Sequence, residues 1–161
     1  MQSITRLPEA EAFAAAKELS AKFKGTAFVR FEDFVNYYPR RIRTEKWLYD
    51  CFIELGGQPA NEHPLYFVLQ GSEYLNAWFN KGKATKIPLK EIQPEHISFT
   101  FGDSMAMMDK PDRKALFLMG KLFEFISHCN NFELFIENIK NKYIYIEVQL
   151  WNDKYIKQVN L

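Results

Sequence analysis

The stretch that most constrains the fold runs from Tyr143 to Trp151, because it alternates strictly between two kinds of side chain. Branched apolar residues take every second position, and the positions between them carry Tyr143, Tyr145, Glu147, Gln149 and Trp151. A period of two places successive side chains on opposite faces of a β-strand. We therefore expect a strand whose apolar face lies on a core. Its polar–aromatic face is either exposed to solvent or forms the floor of a pocket.

The length of the chain, 161 residues, predicts a single domain spanning residues 1–161. A chain of this size buries roughly 70% of the surface that its unfolded form exposes, so it needs no disulfide or metal to fold. Aromatic residues make up 16% of the sequence, with 15 Phe, 8 Tyr and 3 Trp. Such a supply indicates either a bulky core or an aromatic-lined cleft or partner surface.

The charge balance disfavours nucleic acid as a partner. Lys and Arg number 21 and Asp and Glu number 20, so no global field attracts phosphate backbones or anionic lipid. The two cysteines, Cys51 and Cys129, lack metal-ligand spacing and suggest a reducing compartment. The N-terminus has no apolar signal core, and no apolar run approaches the roughly 18 residues of a membrane span. We therefore expect a cytoplasmic protein without membrane contact.

Apolar periodicity and turn residues divide the rest of the chain into helices and strands. Helices are predicted at Pro8–Lys24, Thr44–Leu55, Ser72–Phe79, Pro111–His128 and Phe132–Ile139. Strands are predicted at Thr26–Arg30, Leu65–Leu69 (an inner strand), Lys83–Leu89 and Ile97–Phe101, with Lys154–Val159 as a hairpin partner of the last strand. This irregular order predicts an α+β fold with a mixed or antiparallel sheet packed by several helices, in which the N-terminal helix (residues 1–25) is peripheral.

A first polar cluster surrounds a predicted helix start. Pro39 is expected to interrupt the helical pattern, which leaves Tyr37–Arg43 as a basic, aromatic connector. Tyr38, Arg41 and Arg43 precede Thr44, which we expect to cap the next helix, with Glu45 following it. Arginines beside the free amides of a helix N-terminus make an anion site. The alternative is a solvated connector with one cap.

A second cluster lies on the strand Ile97–Phe101 and the turn after it. Ser98 and Thr100 share one face of the strand, and Asp103 follows in a Gly-Asp-Ser turn. These groups suit a polar ligand, or else a half-exposed strand that ends in an Asx-type turn. No Gly-x-Ser-x-Gly elbow is present, so serine-hydrolase chemistry is not expected.

The third cluster is the Glu147–Gln149 pair of the opening strand, flanked on the same face by Tyr145 and Trp151. A carboxylate between rings suits a general base or a grip on ribose hydroxyls, and the alternative is a solvent face with cross-strand pairing. The three histidines lie in separate segments without a zinc-binding pattern, and no calcium loop, Walker loop or dinucleotide fingerprint occurs. We therefore predict no metal site.

Two blocks of the sequence resemble a family of small uncharacterised bacterial proteins. The blocks are Ser-Phe-Thr-x-Gly-Asp at residues 98–103 and Tyr-Ile-Glu-Val-Gln at residues 145–149. The resemblance covers mainly the C-terminal two-thirds of the chain. No activity is assigned to that family, so the resemblance implies a shared fold in a bacterial protein.

The order of polar residues is also distantly similar to that of ADP-ribosyltransferases. An arginine (Arg41 or Arg43) precedes a hydroxyl-bearing strand with Ser98, and Glu147 comes later beside Gln149. The resemblance implies NAD as a cofactor, with the arginine on the pyrophosphate and Glu147 stabilising an oxocarbenium-like sugar. This chain carries Glu before Gln, the reverse of the family's acidic element.

Three hypotheses on function follow from the sequence, and the weakest is a nucleic-acid contact through Tyr37–Arg43, where rings stack on bases and arginines meet phosphate. The first is a small-ligand or nucleotide site with Glu147 as catalytic residue and Tyr38, Arg41, Arg43, Ser98, Thr100, Asp103 and Gln149 as ligand-binding residues. The alternative is a non-catalytic protein-interaction module of the immunity type, which the lack of any strong catalytic motif favours. The partner is then a small molecule or a protein. The sequence leaves open whether the protein is an enzyme, and it predicts no oligomeric state.

Overall fold

A three-stranded antiparallel sheet lies at the centre of the fold, and the opening strand is its middle member. The structure is a computed structural model that describes residues 3–80 and 84–157. Strand β1 is Leu65–Val68, β2 is Ile97–Phe101 and β3 is Ile146–Leu150, and the order across the sheet is β1-β3-β2. The structure confirms the α+β class with an antiparallel sheet. It also corrects the placement of Leu65–Leu69, since β1 is an edge strand.

Helices supply most of the remaining described structure. The α-helices are α1 (Glu9–Lys22), α2 (Phe34–Glu54), α3 (Glu73–Trp78), α4 (Ser104–Met107), α5 (Met119–Ser127), α6 (Phe132–Tyr143) and α7 (Lys154–Lys157). Short 3-10 helices occur at Ile4–Arg6, Ala27–Asp33, Leu89–Glu91 and Pro94–His96. The predicted cap of α3 is confirmed, because the backbone N–H of Leu75 donates to the Ser72 hydroxyl. None of these helices is both long and apolar enough to cross a membrane, among the residues described.

The apolar face of β3 packs on α5 and α6, as the alternation predicts. Ile146, Val148 and Leu150 share a buried cluster whose helical members include Leu122 of α5 and Phe135 of α6. The strand is shorter than predicted at its N-terminal end, because α6 continues to Tyr143. Ile144 then turns the chain with φ +73°, and this tight turn leaves its side chain 52% exposed instead of on the core.

The opposite face of β3 is covered by α2. Trp151, directly after the strand, stacks on Phe52 of α2 with ring centroids 5.0 Å apart and an interplanar angle of 10°. Leu48 and Leu116 complete this second cluster. The Glu147 side of the strand is therefore not a solvent face, which excludes one of the two alternatives drawn from the sequence.

Helix α2 runs straight through the segment predicted as a connector. Pro39 lies in the second turn of the helix, where its missing N–H removes one backbone hydrogen bond without ending the helix. Thr44 is consequently a mid-helix residue, and its hydroxyl donates to the carbonyl of Arg40 instead of capping. The predictions of a break at Pro39 and a cap at Thr44 are wrong. Their failure places Arg41 and Glu45 on one helix, four residues apart.

The helix predicted for Pro111–His128 begins only at Met119. Upstream of it, the backbone N–H and C=O of Phe117 exchange hydrogen bonds of 3.0 and 2.9 Å with Phe99 of β2. The outer edge of β2 offers unpaired backbone groups, and pairing with them competes with continuing the helix. The apolar stripe before Met119 is therefore buried in extended form.

Three further strand predictions are wrong. Thr26–Arg30 falls in the 3-10 helix Ala27–Asp33, which the Thr26 hydroxyl caps by accepting from the N–H of Phe28. Residues 84–88 are irregular, and Lys83 lies outside the described residues. The segment after β3 forms helix α7 instead of a hairpin strand, and residues 158–159 are not described. Alternation alone did not distinguish these short segments from single helical turns.

The N-terminal helix packs in an apolar cluster of its own. Ala12 and Ala16 of α1 are fully buried and share this cluster with Phe34 at the start of α2. These residues belong to neither of the two clusters that flank the sheet. Helix α1 thus packs mainly on the 3-10 helix Ala27–Asp33, outside the two clusters that flank the sheet.

Candidate functional site

The second face of β3 carries a buried row of polar side chains, which we call the polar row: Ser98, Thr100, Glu147 and Gln149. Strand register creates the row, because Ser98 lies directly opposite Gln149 and Thr100 directly opposite Glu147. All four side chains are buried, with Ser98 and Gln149 entirely so. The sequence predicted each of these residues, and the structure brings them together.

Hydrogen bonds run along the polar row in one direction. The indole N–H of Trp151 donates to the Ser98 hydroxyl (2.9 Å), which donates to Gln149 Oε1 (2.9 Å). Gln149 Nε2 then donates to both Thr100 Oγ1 and Glu147 Oε1, each at 3.0 Å. Both amide protons and the amide oxygen of Gln149 are thus in use. The row ends on the Glu147 carboxyl.

Glu147 combines deep burial with an incomplete set of partners. Its Oε1 also accepts from the backbone N–H of Ser104 at 3.3 Å, whereas Oε2 makes no hydrogen bond with the described residues. Burial, together with the negative charge of Asp103, raises the pKa of Glu147 to about 7, although Arg41 acts in the opposite direction. Near neutral pH this carboxyl therefore exists in both protonation states, as a general acid or base requires.

Arg41 reaches the same region from α2. Its Nε donates to Glu45 Oε1 at 2.8 Å, and its guanidinium lies 3.8 Å from the centre of the Tyr66 ring. Burial alone would lower the pKa of Arg41, but the surrounding Tyr66, Tyr37, Glu45 and Glu147 raise it overall, so the group stays charged. The guanidinium is too far from Glu147 for an ion pair within 4.0 Å, yet its charge still acts on that carboxyl.

Glu45 is fully buried and joins Arg41 to His63. Its Oε2 lies 2.6 Å from His63 Nδ1, while Oε1 accepts from Arg41. Burial would raise the pKa of Glu45, but the hydrogen bond with His63 and the charge of Arg41 lower it overall, which keeps the carboxylate ionised. We call Arg41, Glu45 and His63 the charge cluster.

Two buried hydroxyls in this region lack a well-formed hydrogen bond among the described residues: Ser104 Oγ and Tyr66 OH, the second of which lies near the Glu45 carboxylate. Tyr66 lies opposite Gln149 in the sheet, and the backbone of Ser104 binds Glu147. An unpaired buried hydroxyl costs roughly 1–3 kcal/mol, so each is a place where a bound molecule would be favourable. Both hydroxyl-bearing residues lie next to members of the polar row.

Three predicted ligand-binding residues have other roles in the structure. Tyr38 packs edge-to-face on Phe13 and against Phe34 in the N-terminal aromatic cluster. Arg43 pairs with Asp109 at the surface (2.7 Å), and more than half of its side chain is exposed. Asp103 caps α4 by accepting from the N–H of Ala106, and it influences the site only through its charge. The first cluster of the sequence is therefore split, and only its Arg41 and Glu45 lie near the polar row.

Glu45 belongs to the first polar cluster of the sequence but is not among its predicted ligand-binding residues, and no sequence motif pairs it with His63. A signal for Glu45 was present, because residues 41, 45, 48 and 52 recur at helical spacing on the side of α2 that carries Leu48 and Phe52. A charged pair inside an apolar stripe indicates a buried ion pair. No local pattern indicates His63, which lies in a loop before β1.

Two surface hollows lie away from this region. One, of about 320 Å³, lies beside α6 between Gln70 and Lys140, and the other, of about 420 Å³, lies between Phe13 and Val35. Within the described ranges, no group of three or more His, Cys, Asp or Glu side chains is arranged to hold a metal ion.

The chain matches no protein-family model, and no curated protein or solved structure matches it either.

Proposed function

We propose that the protein binds a small polar ligand of the nucleotide or sugar type between Arg41 and Glu147. The observation that supports this most is a buried carboxyl with a pKa of about 7, placed near a buried guanidinium and two hydroxyls that lack a well-formed hydrogen bond among the described residues. Titratable groups whose pKa is shifted by burial and by specific neighbouring charges are concentrated at functional sites. A purely structural network would be expected to satisfy its own hydroxyls.

The two ends of this site suit different parts of a ligand. The Nη atoms of Arg41 make no hydrogen bond with the described residues, so they are available to a phosphate or another oxyanion. Glu147 Oε2 is available to a sugar hydroxyl. The side chain of Arg41 is 13% exposed and Glu147 is 6% exposed, so a ligand that reaches both groups requires a displacement of the side chains that cover them.

Glu147 gives this site a chemical role as well. With NAD as ligand, the bond between ribose and the nicotinamide nitrogen breaks, and its electron pair leaves with nicotinamide. An acceptor nucleophile bonds to the sugar carbon and passes its proton to the Glu147 carboxylate. The carboxylate would first stabilise the positive charge that develops on the sugar. Arg41 is the arginine that binds the pyrophosphate of NAD in this proposal, and Arg43 does not contact the ligand.

A ligand panel tests the proposal. Thermal unfolding is measured with NAD, ADP, ribose 5-phosphate and glucose, together with release of nicotinamide from NAD. We expect ADP or NAD to raise the melting temperature of the wild type, and Glu147→Gln to abolish any nicotinamide release. The exposed Glu18→Gln is the matched control and should behave as the wild type does. If no compound of the panel shifts the wild-type transition, the ligand site is excluded.

A second candidate function, a non-catalytic protein-interaction module, is favoured by an exposed apolar surface. Phe23, Val29, Val35 and Phe79 are 39–68% exposed, and the Phe28 ring lies 5.4 Å from that of Phe23 and 5.8 Å from that of Phe79. Exposed aromatic groups of this kind occur at partner surfaces. Light scattering and pull-down with candidate proteins test it. A strict monomer that captures none of them, and that binds ADP, contradicts it.

A further inference from the structure

The charge cluster contains a carboxylate that has no access to solvent. Glu45 has no exposed surface, and each of its two oxygens is bound to a different side chain, Arg41 at 2.8 Å and His63 at 2.6 Å. A buried charge is tolerated only when it is paired and hydrogen-bonded. Replacing Glu45 and its partners by apolar residues would often be neutral for stability, so stability alone does not account for a buried pair.

The orientation of Arg41 depends on two contacts. The Nε–H bond to Glu45 fixes one edge of the guanidinium, and the face of the group lies on the Tyr66 ring at 3.8 Å. A planar group held at one edge and one face has little rotational freedom. Its two Nη atoms remain without hydrogen bonds among the described residues, so they are held in place and are free to bind a ligand.

His63 is held in turn from outside the charge cluster. Its backbone carbonyl accepts from Nε and Nη2 of Arg6, at 2.8 and 2.6 Å. Nη1 of Arg6 pairs with Asp153 at 2.6 Å, so the segment before α1 and the segment after β3 both support the histidine. The imidazole is 27% exposed, and it is the one member of the charge cluster with substantial contact with water.

We propose that Glu45 and His63 are the positioning residues of the ligand site: Glu45 holds Arg41, and His63 holds Glu45. This inference rests on the proposed function, and it assigns the two residues a role in recognising an oxyanion of the ligand. Neither residue touches the ligand. Their effect is to present the Nη atoms of Arg41 in one orientation, which saves the entropy of ordering a long side chain on binding.

The test follows the Arg41 Nε–H group directly by NMR in the ligand-free protein. Its signal is assigned by its loss in Arg41→Lys, and its hydrogen exchange is measured in Glu45→Gln and His63→Gln. The exposed His128→Gln is the matched control. We expect exchange to become about tenfold faster in Glu45→Gln and less so in His63→Gln, with ADP binding weakened by a similar factor in each.

Two readouts keep this inference separate from the proposed function. If ADP does not bind the wild type, the proposed function fails, whereas the Arg41 signal still tests the positioning. If Glu45→Gln does not fold, the test is made with His63→Gln alone. The imidazole ring of His63 is partly exposed, so we expect this variant to fold. An Arg41 signal that is unchanged in His63→Gln overturns the proposal. A variant that loses stability while the hydrogen exchange of the Arg41 Nε–H group stays as in the wild type also overturns it.

Discussion

The two faces of β3 are built from adjacent residues and behave in opposite ways. On one face, Ile146, Val148 and Leu150 lie against α5 and α6 in a predominantly apolar cluster. On the other, Glu147 and Gln149 are equally buried beneath α2, but they lie in a hydrogen-bonded row. Burial on the first face follows from the hydrophobic effect. Burial on the second face requires each polar group to find a partner, and two neighbouring hydroxyls have no well-formed hydrogen bond in the described part of the chain.

This difference indicates where specificity resides in the molecule. An apolar face tolerates exchange among side chains of similar volume, since its contacts have no direction. The polar row has a direction from Trp151 to Glu147, set by which atoms donate and which accept. A substitution there changes the charge state of Glu147 more than it changes packing. The following predictions separate the two kinds of effect.

Leu150→Ala should give the largest loss of stability. Leu150 is 1% exposed within the main core cluster, and removing a buried leucine side chain costs about 2–5 kcal/mol. Urea unfolding followed by circular dichroism measures this change. The titration of Glu147 should stay as in the wild type, because the side chain of residue 150 lies on the opposite face. A shifted titration would show that the two faces are coupled.

The contribution of Glu147 to stability should be lost between about pH 4.5 and pH 7, whereas His96, whose pKa is lowered, acts in the opposite sense in the wild type and in Glu147 variants alike. The pKa of Glu147 is raised from 4.5 to about 7 in the folded state, so the folded protein holds a proton that the unfolded chain releases in this window. The free energy of unfolding therefore falls as the pH rises through the window, by about 3 kcal/mol at most.

The control for this pH effect is Glu147→Gln. In this variant the free energy of unfolding should lose the Glu147-dependent decrease and fall less steeply than in the wild type above pH 4.5. Glu45 acts outside this window. Its pKa is lowered, so its contribution to the free energy of unfolding is lost only as the pH falls below 4.5. Denaturant unfolding at pH 5 and pH 8 provides the comparison. Equal slopes for the wild type and Glu147→Gln would contradict the raised pKa.

Gln149→Leu should cost less stability than Leu150→Ala, about 1–3 kcal/mol, although the two positions are adjacent. The substitution keeps the volume approximately, but it leaves Thr100 and Glu147 without the amide donor that each shares at 3.0 Å. Because that donor stabilises the carboxylate form, the pKa of Glu147 should rise further. Chemical denaturation and NMR titration check both statements. A Gln149→Leu protein with wild-type stability would show that the row is not needed for the fold.

The sequence predicts the three strands that form the sheet because their signals are local. The alternation of β3, the strand Ile97–Phe101 and the Ser72 cap all depend on neighbouring residues, and the structure confirms each. Segments Thr26–Arg30 and Pro111–Leu118 are misassigned because tertiary partners decide them. The open edge of β2, for example, takes Phe117 away from the following helix.

The candidate site is predictable only in part for the same reason. Ser98, Thr100, Glu147 and Gln149 follow from strand periodicity, and register brings them together. Arg41 was placed in a connector because Pro39 and the basic run around it resemble a loop, yet one missing N–H does not end a helix that packs on a sheet. The bond between Glu45 and His63 joins residues 18 positions apart, and no local pattern indicates it. Whether the chain belongs to the bacterial family with the same two blocks stays a prediction.

The most direct test of the central claim is a ¹³C NMR titration of the Glu147 side-chain carboxyl, recorded without ligand and with ADP. Glu147→Gln identifies the signal by its absence. We expect a midpoint near pH 7 in the free protein, where burial and Asp103 raise the pKa of Glu147, and a displaced midpoint when ADP is bound. A midpoint near the ordinary 4.5, unchanged by ADP, would contradict a ligand site at this carboxyl.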